Sequence, residues 1–169
     1  YASLARDLIL VKQFLKDNSV MDNEIAITPV FMNEVYKSSY DSGPREVNLS
    51  QTITVQSTKV STVTDMAKKT EVLVRNGIIL STQQPQYYYS KLADLRVSLL
   101  SDAIKDAKAR AVQIAKSSGQ SIGKLKSASS GVVQVLAPDS TEIDGYGSYD
   151  VYSIEKDVMI TVRATFGVR

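Results

Sequence analysis

The stretch "DAIKDAKARAVQIAKSSGQSIGKL", residues 102–125, decides the fold. Ala103, Ala107, Ala111 and Ile114 recur at spacings of four, four and three, and Leu92, Leu95 and Leu99 carry the row upstream. That spacing places them on one face of a helix. Alanine has the best intrinsic helix propensity, and its small side chain lets a helix axis lie close to a sheet or a second helix. Lys105, Asp106, Lys108 and Arg110 then face outward or flank the row. The pattern predicts a helix from Ser90 as N-cap to about Ser118, ended by Gly119, roughly 40 Å long at 1.5 Å per residue. This is the composition of a packing spine, not of a catalytic helix.

Upstream, Leu4, Leu8, Val11 and Leu15 mark a first amphipathic helix, with Asn18 as its stop. Ile25, Ile27, Val30, Met32 and Val35 suggest an extended segment in which Pro29 requires an edge or a bulge. The turn-rich segment 37–46 reads as a loop. Val47, Leu49, Ile53 and Val55 alternate with polar residues, as in an antiparallel strand with one wet face. Thr62 and Asp65 suggest a capping box for a helix that runs to Gly77. "IIL" and "YYYS" flank "STQQPQ" as an interrupted strand. Downstream, "IGKLKSASSGVVQVLAP" reads as a strand or hairpin. Tyr152, Ile154, Val158, Ile160, Val162, Ala164 and Phe166 share one face of a last strand. The expected order is α-β-β-α-β-α-β-β. The pairs 3–36 and 90–136 form a loose internal repeat of helix and strand. Helices on one face of an antiparallel sheet make this an α+β fold.

The totals fit one soluble domain: 169 residues, 43% hydrophobic, 22% charged. A net charge of +2 gives no global pull toward nucleic acid or anionic membrane. With no cysteine, disulfides and thiolate chemistry are excluded, and with no histidine the commonest general base and metal ligand are absent. The apolar runs are too short to span a bilayer. A chain that opens on Tyr1 directly into a helix reads as a processed or truncated product, so a signal or anchor upstream is an expectation.

The third helix and the terminal strand also carry a family resemblance. Ala103, Asp106, Ala107, Arg110, Ala111, Ile114, Ala115, Gly119 and Gly123, followed by "VMITVRATFGV", resemble the SIMPL domain family, also called DUF541. "FLKDNSVMDNEI" is similar to the family's early helix and the strand after it. The resemblance extends over nearly the whole chain. It implies one α+β domain over residues 1–169, exported to the periplasm or cell surface, with no established enzyme activity. Some members are similar to outer-membrane or periplasmic antigens that assemble into large ring-like oligomers, and others are linked loosely to oxidative stress. Family members usually open with a strand before the first helix; its absence here implies either a sheet that lacks an edge or a removed N-terminus.

Several clusters carry residue types suited to chemistry or binding. Asp139, Glu142 and Asp144 lie in a glycine-containing acidic loop, the residue type calcium needs. Their spacing misses the EF-hand pattern, which favours a solvated loop with no metal and no cofactor. Residues 91–126 hold eight Lys or Arg against three Asp, a stripe suited to phosphate or to an acidic subunit face. It lacks the interleaved aromatics of a single-strand binder, so no nucleic-acid partner is expected. Tyr87, Tyr88 and Tyr89, with Tyr146, Tyr149 and Tyr152, could anchor an interface or stack on a glycan; the plainer reading puts one ring in the core and the others in water. Asp65 with Glu71, and Asp102 with Asp106, are carboxylate pairs without a catalytic setting. Asn48 heads a glycosylation sequon inside a strand.

The reading that results is a non-enzymatic extracytoplasmic domain that self-associates near the cell envelope, with an envelope protein as a further partner. Membrane contact would come only through a missing N-terminal anchor. The alternative is a module that binds a small ligand or peptide at an exposed sheet edge.

Overall fold

A computed structural model describes residues 1–35, 46–141 and 145–169. The length suggested one core; the chain divides into two compact units, Tyr1–Pro85 and Gln86–Arg169.

The first unit opens with α1 (Ala2–Asp17), whose last carbonyls are closed as expected at Asn18. The Asn18 side-chain amide donates to the Phe14 carbonyl, and Ser19 takes a φ of 64°. A short 3-10 turn (Asp22–Glu24) leads into β1 (Ile25–Ile27) and β2 (Phe31–Glu34). These pair antiparallel with β4 (Ile53–Val55) and β3 (Val47–Ser50) respectively. The break between the two ladders falls at Pro29, which has no N–H to give. Across it, Thr28 Oγ1 accepts from the Thr52 amide and the Gln51 side chain donates to the Thr28 carbonyl. The core is Leu15, Val20 and Met66, with Val11, Phe14, Ile25, Ile53 and Val55 packed around it.

The helix expected up to Gly77 is two helices, α2 (Val60–Lys68) and α3 (Glu71–Arg75). Thr70 turns its hydroxyl back to the Ala67 carbonyl and divides them. The capping box at Thr62 and Asp65 does not form. The helix starts one turn earlier, after Ser57 Oγ accepts from the Lys59 amide, and Asp65 pairs with Lys68 instead. Gly77 ends α3 at φ +80°, as its position required.

The strand expected around "IIL" and "YYYS" is absent from residues 78–89. Pro85 interrupts any ladder there, and the Tyr87 amide donates to the Val151 carbonyl instead.

In the second unit α4 (Leu92–Ser117) is followed by β5 (Ile122–Leu136) and β6 (Asp157–Val168), paired antiparallel in one long ribbon. The long helix begins at Leu92 with Lys91 in the N-cap position, one residue beyond the expected Ser90 cap, and no side chain caps it. It ends at Ser118, with Gly119 at φ +71°. β6 alternates as read from Val158 onward: Val158, Ile160, Val162, Ala164 and Phe166 are half-buried and the residues between them are exposed, whereas Tyr152 and Ile154 precede the strand and are exposed. α4 lies mainly over β6 rather than β5.

The inward row of α4 differs from the expected one at its end. Ile114 is 70% exposed, and Ala115, 6% exposed, continues the row from Ala103, Ala107 and Ala111. Four residues turn slightly more than a full circle, so an unbroken i+4 row winds around the helix and stays on β6 only if the helix is inclined to it. The contact therefore prefers a fourth alanine to a return to Ile114. Ala115→Leu should cost about 1–3 kcal/mol by overpacking, whereas Ile114→Ala should change stability by no more than about 0.5 kcal/mol. Urea unfolding of the two variants checks the order.

Each unit opens with a helix that leads into antiparallel strands, but the first continues into α2 and α3, which have no counterpart in the second. The whole is α+β. Among the described residues no helix is long and apolar enough to cross a membrane.

Candidate functional site

The aromatic segments singled out in the sequence meet in the second unit. The end of β5 is buried on both faces: Gln134, Val135 and Leu136 are 5%, 1% and 4% exposed. The segment Ser148–Asp150 meets it in an isolated parallel bridge between Tyr149 and Val135. The Val135 amide donates to the Ser148 carbonyl at 2.8 Å, and the Asp150 amide donates to the Val135 carbonyl at 2.7 Å. The Ser148 amide donates to Gln134 Oε1. Gly147, at φ +92°, makes the turn into this segment; a Cβ there would lie 3.3 Å from the Val133 carbonyl oxygen.

Asp150 and Lys156 tie the following turn together. Asp150 Oδ1 accepts from the Tyr152 amide and Oδ2 from the Ser153 amide. Lys156 Nζ donates to the carbonyls of Asp150 and Ser153 and lies 3.6 Å from Asp150 Oδ2; its side chain is 6% exposed. The Tyr152 amide above all, then the Ser153 hydroxyl, hold the Asp150 carboxyl below its ordinary value of 3.8; the Lys156 charge adds to this and burial opposes it. The group binds its proton more readily unfolded than folded. Its contribution to stability is therefore complete at neutral pH and is lost as pH falls below about 4 and through the folded-state value. Asp150→Asn should flatten that part of the acid unfolding curve, and thermal melts at stepped pH should show it.

Lys156 Nζ also sits 5.8 Å from the centre of the Tyr149 ring. The Tyr149 hydroxyl accepts from the Tyr89 amide, and the Tyr149 and Tyr88 ring centres are 5.9 Å apart. Tyr88, Tyr89, Tyr149 and Tyr152 remain 65%, 45%, 37% and 54% exposed, and Tyr146 is 95% exposed. Tyr87 alone of the three consecutive tyrosines is half-buried, so the plainer reading holds in part: one ring turns inward, though not into the fully buried core, and the others meet water. Lys156 was missed in the sequence, where "EKD" resembles any solvated charge run.

The other candidates separate. Asp139 takes φ +61°, and its amide donates to Asp157 Oδ2. Glu142 and Asp144 lie outside the described residues, among which no acidic group is arranged to hold a metal. Asp102 and Asp106 pair with Lys105 and Arg110 on the exposed side of α4. Asp65 and Glu71 sit on different helices, each with its own basic neighbour. Asn48 is exposed in β3, opposite Asn33.

A second surface lies in the first unit. Every residue of β2 is exposed, with Phe31 at 66% and Met32 at 55%; the flanking Val35 is at 39% and Val47, on β3, at 46%. At the other end of this ribbon Glu24 fixes the turn before β1: its Oε2 accepts from the Met21 amide and its Oε1 from the Ser57 hydroxyl. These two bonds hold its carboxyl below the ordinary 4.5.

Residues 1–166 match the family described as SIMPL, protein of unknown function (DUF541). The chain belongs to the SIMPL family. Comparison with curated proteins finds no match. The positions that carried the resemblance in this SIMPL chain do structural work: half-buried Ala103, Ala107 and Ala111 and buried Ala115 form the inward row, and Gly119 stops the helix.

Proposed function

We propose that this SIMPL chain is a non-enzymatic structural module that self-associates outside the cytoplasm, at or near the cell envelope. The observation that carries the reading is the β2–β3 ribbon. A two-stranded ribbon is marginal in water by itself, and this one exposes Phe31, Met32, Val35 and Val47. Adjacent strand residues point to opposite faces, so Phe31 and Met32 make both faces apolar. A second copy of the chain is the occupant that satisfies both.

The chemistry of the chain supports the non-enzymatic part. There is no histidine or cysteine, and Glu24 and Asp150 are held ionised by bonds that shape turns, the opposite of the raised value a general acid needs. The envelope location rests on the family resemblance. Cell fractionation of the native gene product tests it, with the product expected outside the cytoplasm.

Hydrogen exchange at increasing protein concentration tests the association. The amides of Phe31–Glu34 and Val47–Ser50 should gain protection as concentration rises, while those of α4 stay constant. Exchange independent of concentration would refute the reading.

A second reading, a module that takes up a peptide as an added strand, is favoured by the outer edge of β5. Among the described residues that edge is occupied only around Val135, by the Ser148–Asp150 segment.

A further inference from the structure

Two tyrosine rings of the second unit, Tyr88 and Tyr149, are exposed and yet held in place. Tyr149 is fixed from both ends, its hydroxyl accepting from the Tyr89 amide and its ring lying over the Lys156 ammonium. Tyr88 rests against Tyr149 and donates its own hydroxyl to Gln86 Oε1. The Tyr87 amide secures the whole segment to the Val151 carbonyl, one residue before Tyr152. Rings fixed before a ligand arrives lose little freedom when it binds.

The surroundings say what kind of ligand suits them. From Gln86 to Ser90 and from Gly145 to Tyr149 no residue carries a charge. Lys156, which lies over the Tyr149 ring, is paired with Asp150, and the two side chains are 6% and 18% exposed; the exposed Lys91 follows just beyond Ser90. The surface therefore offers aromatic faces, phenol hydroxyls, an amide and serine hydroxyls, and no ion pair. The two segments themselves offer a charged ligand no counter-ion, and a purely apolar one would strip water from the hydroxyls and the amide without replacing their bonds. A sugar ring matches both halves, presenting C–H bonds to an aromatic face and hydroxyls around its rim.

We propose that Tyr88, Tyr89, Tyr149 and Tyr152 form a binding platform for a neutral saccharide chain. It goes beyond the association reading, which rests on the ribbon of the first unit, so either can fail without the other.

Titration with neutral tetrasaccharides, the β-1,4-linked N-acetylglucosamine and glucose tetramers, tests the platform. A sulfated tetrasaccharide serves as the charged comparison. The readouts are tyrosine ring signals in NMR and intrinsic fluorescence, which in a chain without tryptophan comes from tyrosine. At least one neutral tetramer should shift the Tyr88 and Tyr152 rings saturably at millimolar concentration. Tyr88→Ala should weaken that binding about tenfold, and Tyr88→Phe should keep most of it; circular dichroism should report both variants folded. Four results would overturn the proposal: no neutral tetramer moves a tyrosine ring; the sulfated compound binds best; Tyr88→Ala binds as well as wild type; or Tyr88→Ala dissociates a self-assembled form, which would make the surface a protein interface.

Discussion

Val135→Asp is expected to prevent the segment Gln86–Arg169 from folding. Val135 is the most buried side chain among the described residues, at 1% exposure. It lies opposite Val158 on β6, and its backbone holds the Ser148–Asp150 segment by two hydrogen bonds. An aspartate there would place a carboxylate among apolar groups with no partner, at a cost of at least about 4 kcal/mol. That is a large part of the ~5–15 kcal/mol by which domains of this size are stable. Val135→Ala, which removes only methyl groups, should cost about 2 kcal/mol and leave the fold intact. Circular dichroism and urea unfolding distinguish the two. An aspartate variant with an unchanged midpoint would mean that the end of the ribbon is not the core of this unit.

The second large effect is on assembly. Phe31→Asp combined with Met32→Lys should abolish self-association while shifting unfolding by no more than about 0.5 kcal/mol, the usual range for exposed positions. The two residues point to opposite faces of β2, so the pair makes both faces polar at once. Their exposure means that little packing within the chain is lost. The opposite charges leave the net charge at +2, so altered solubility through charge is not a competing cause. If the double variant sediments like wild type, the ribbon is not the contact.

The parts of the fold legible in the sequence were those governed by local rules. β6 showed itself because a period of two over Val158–Phe166 arises from a single buried face. Gly77 and Gly119 could be placed because a helix end that needs positive φ selects glycine. The alanine row announced a close helix contact, but not where its last contact falls. Choosing Ala115 over Ile114 depends on the inclination of α4 to β6, a tertiary quantity. The three consecutive tyrosines looked like a strand because β-propensity mostly records how a side chain packs, and here Tyr88 meets the Tyr149 ring in a loop while Tyr89 stays exposed. The capping box failed because Ser57, bound to Glu24 from far upstream, set the start of α2 one turn early. Lys156 was invisible for the same kind of reason. Its acceptors are the carbonyls of Asp150 and Ser153, and no residue pattern marks a carbonyl.

The candidate surfaces divide along the same line. The tyrosine segments could be named from composition, but their union through Tyr149 needed the fold. The apolar β2–β3 ribbon was read as ordinary strand, and its exposure on both faces appears only when each residue's surroundings are known.

Sedimentation equilibrium of the wild-type chain and the Phe31→Asp/Met32→Lys variant, over a hundredfold range of concentration, tests the central claim most directly. The expected result is a wild-type mass that rises above the monomer value of 18.5 kDa with concentration, while the variant stays at that value. A wild-type chain that remains monomeric throughout would contradict it.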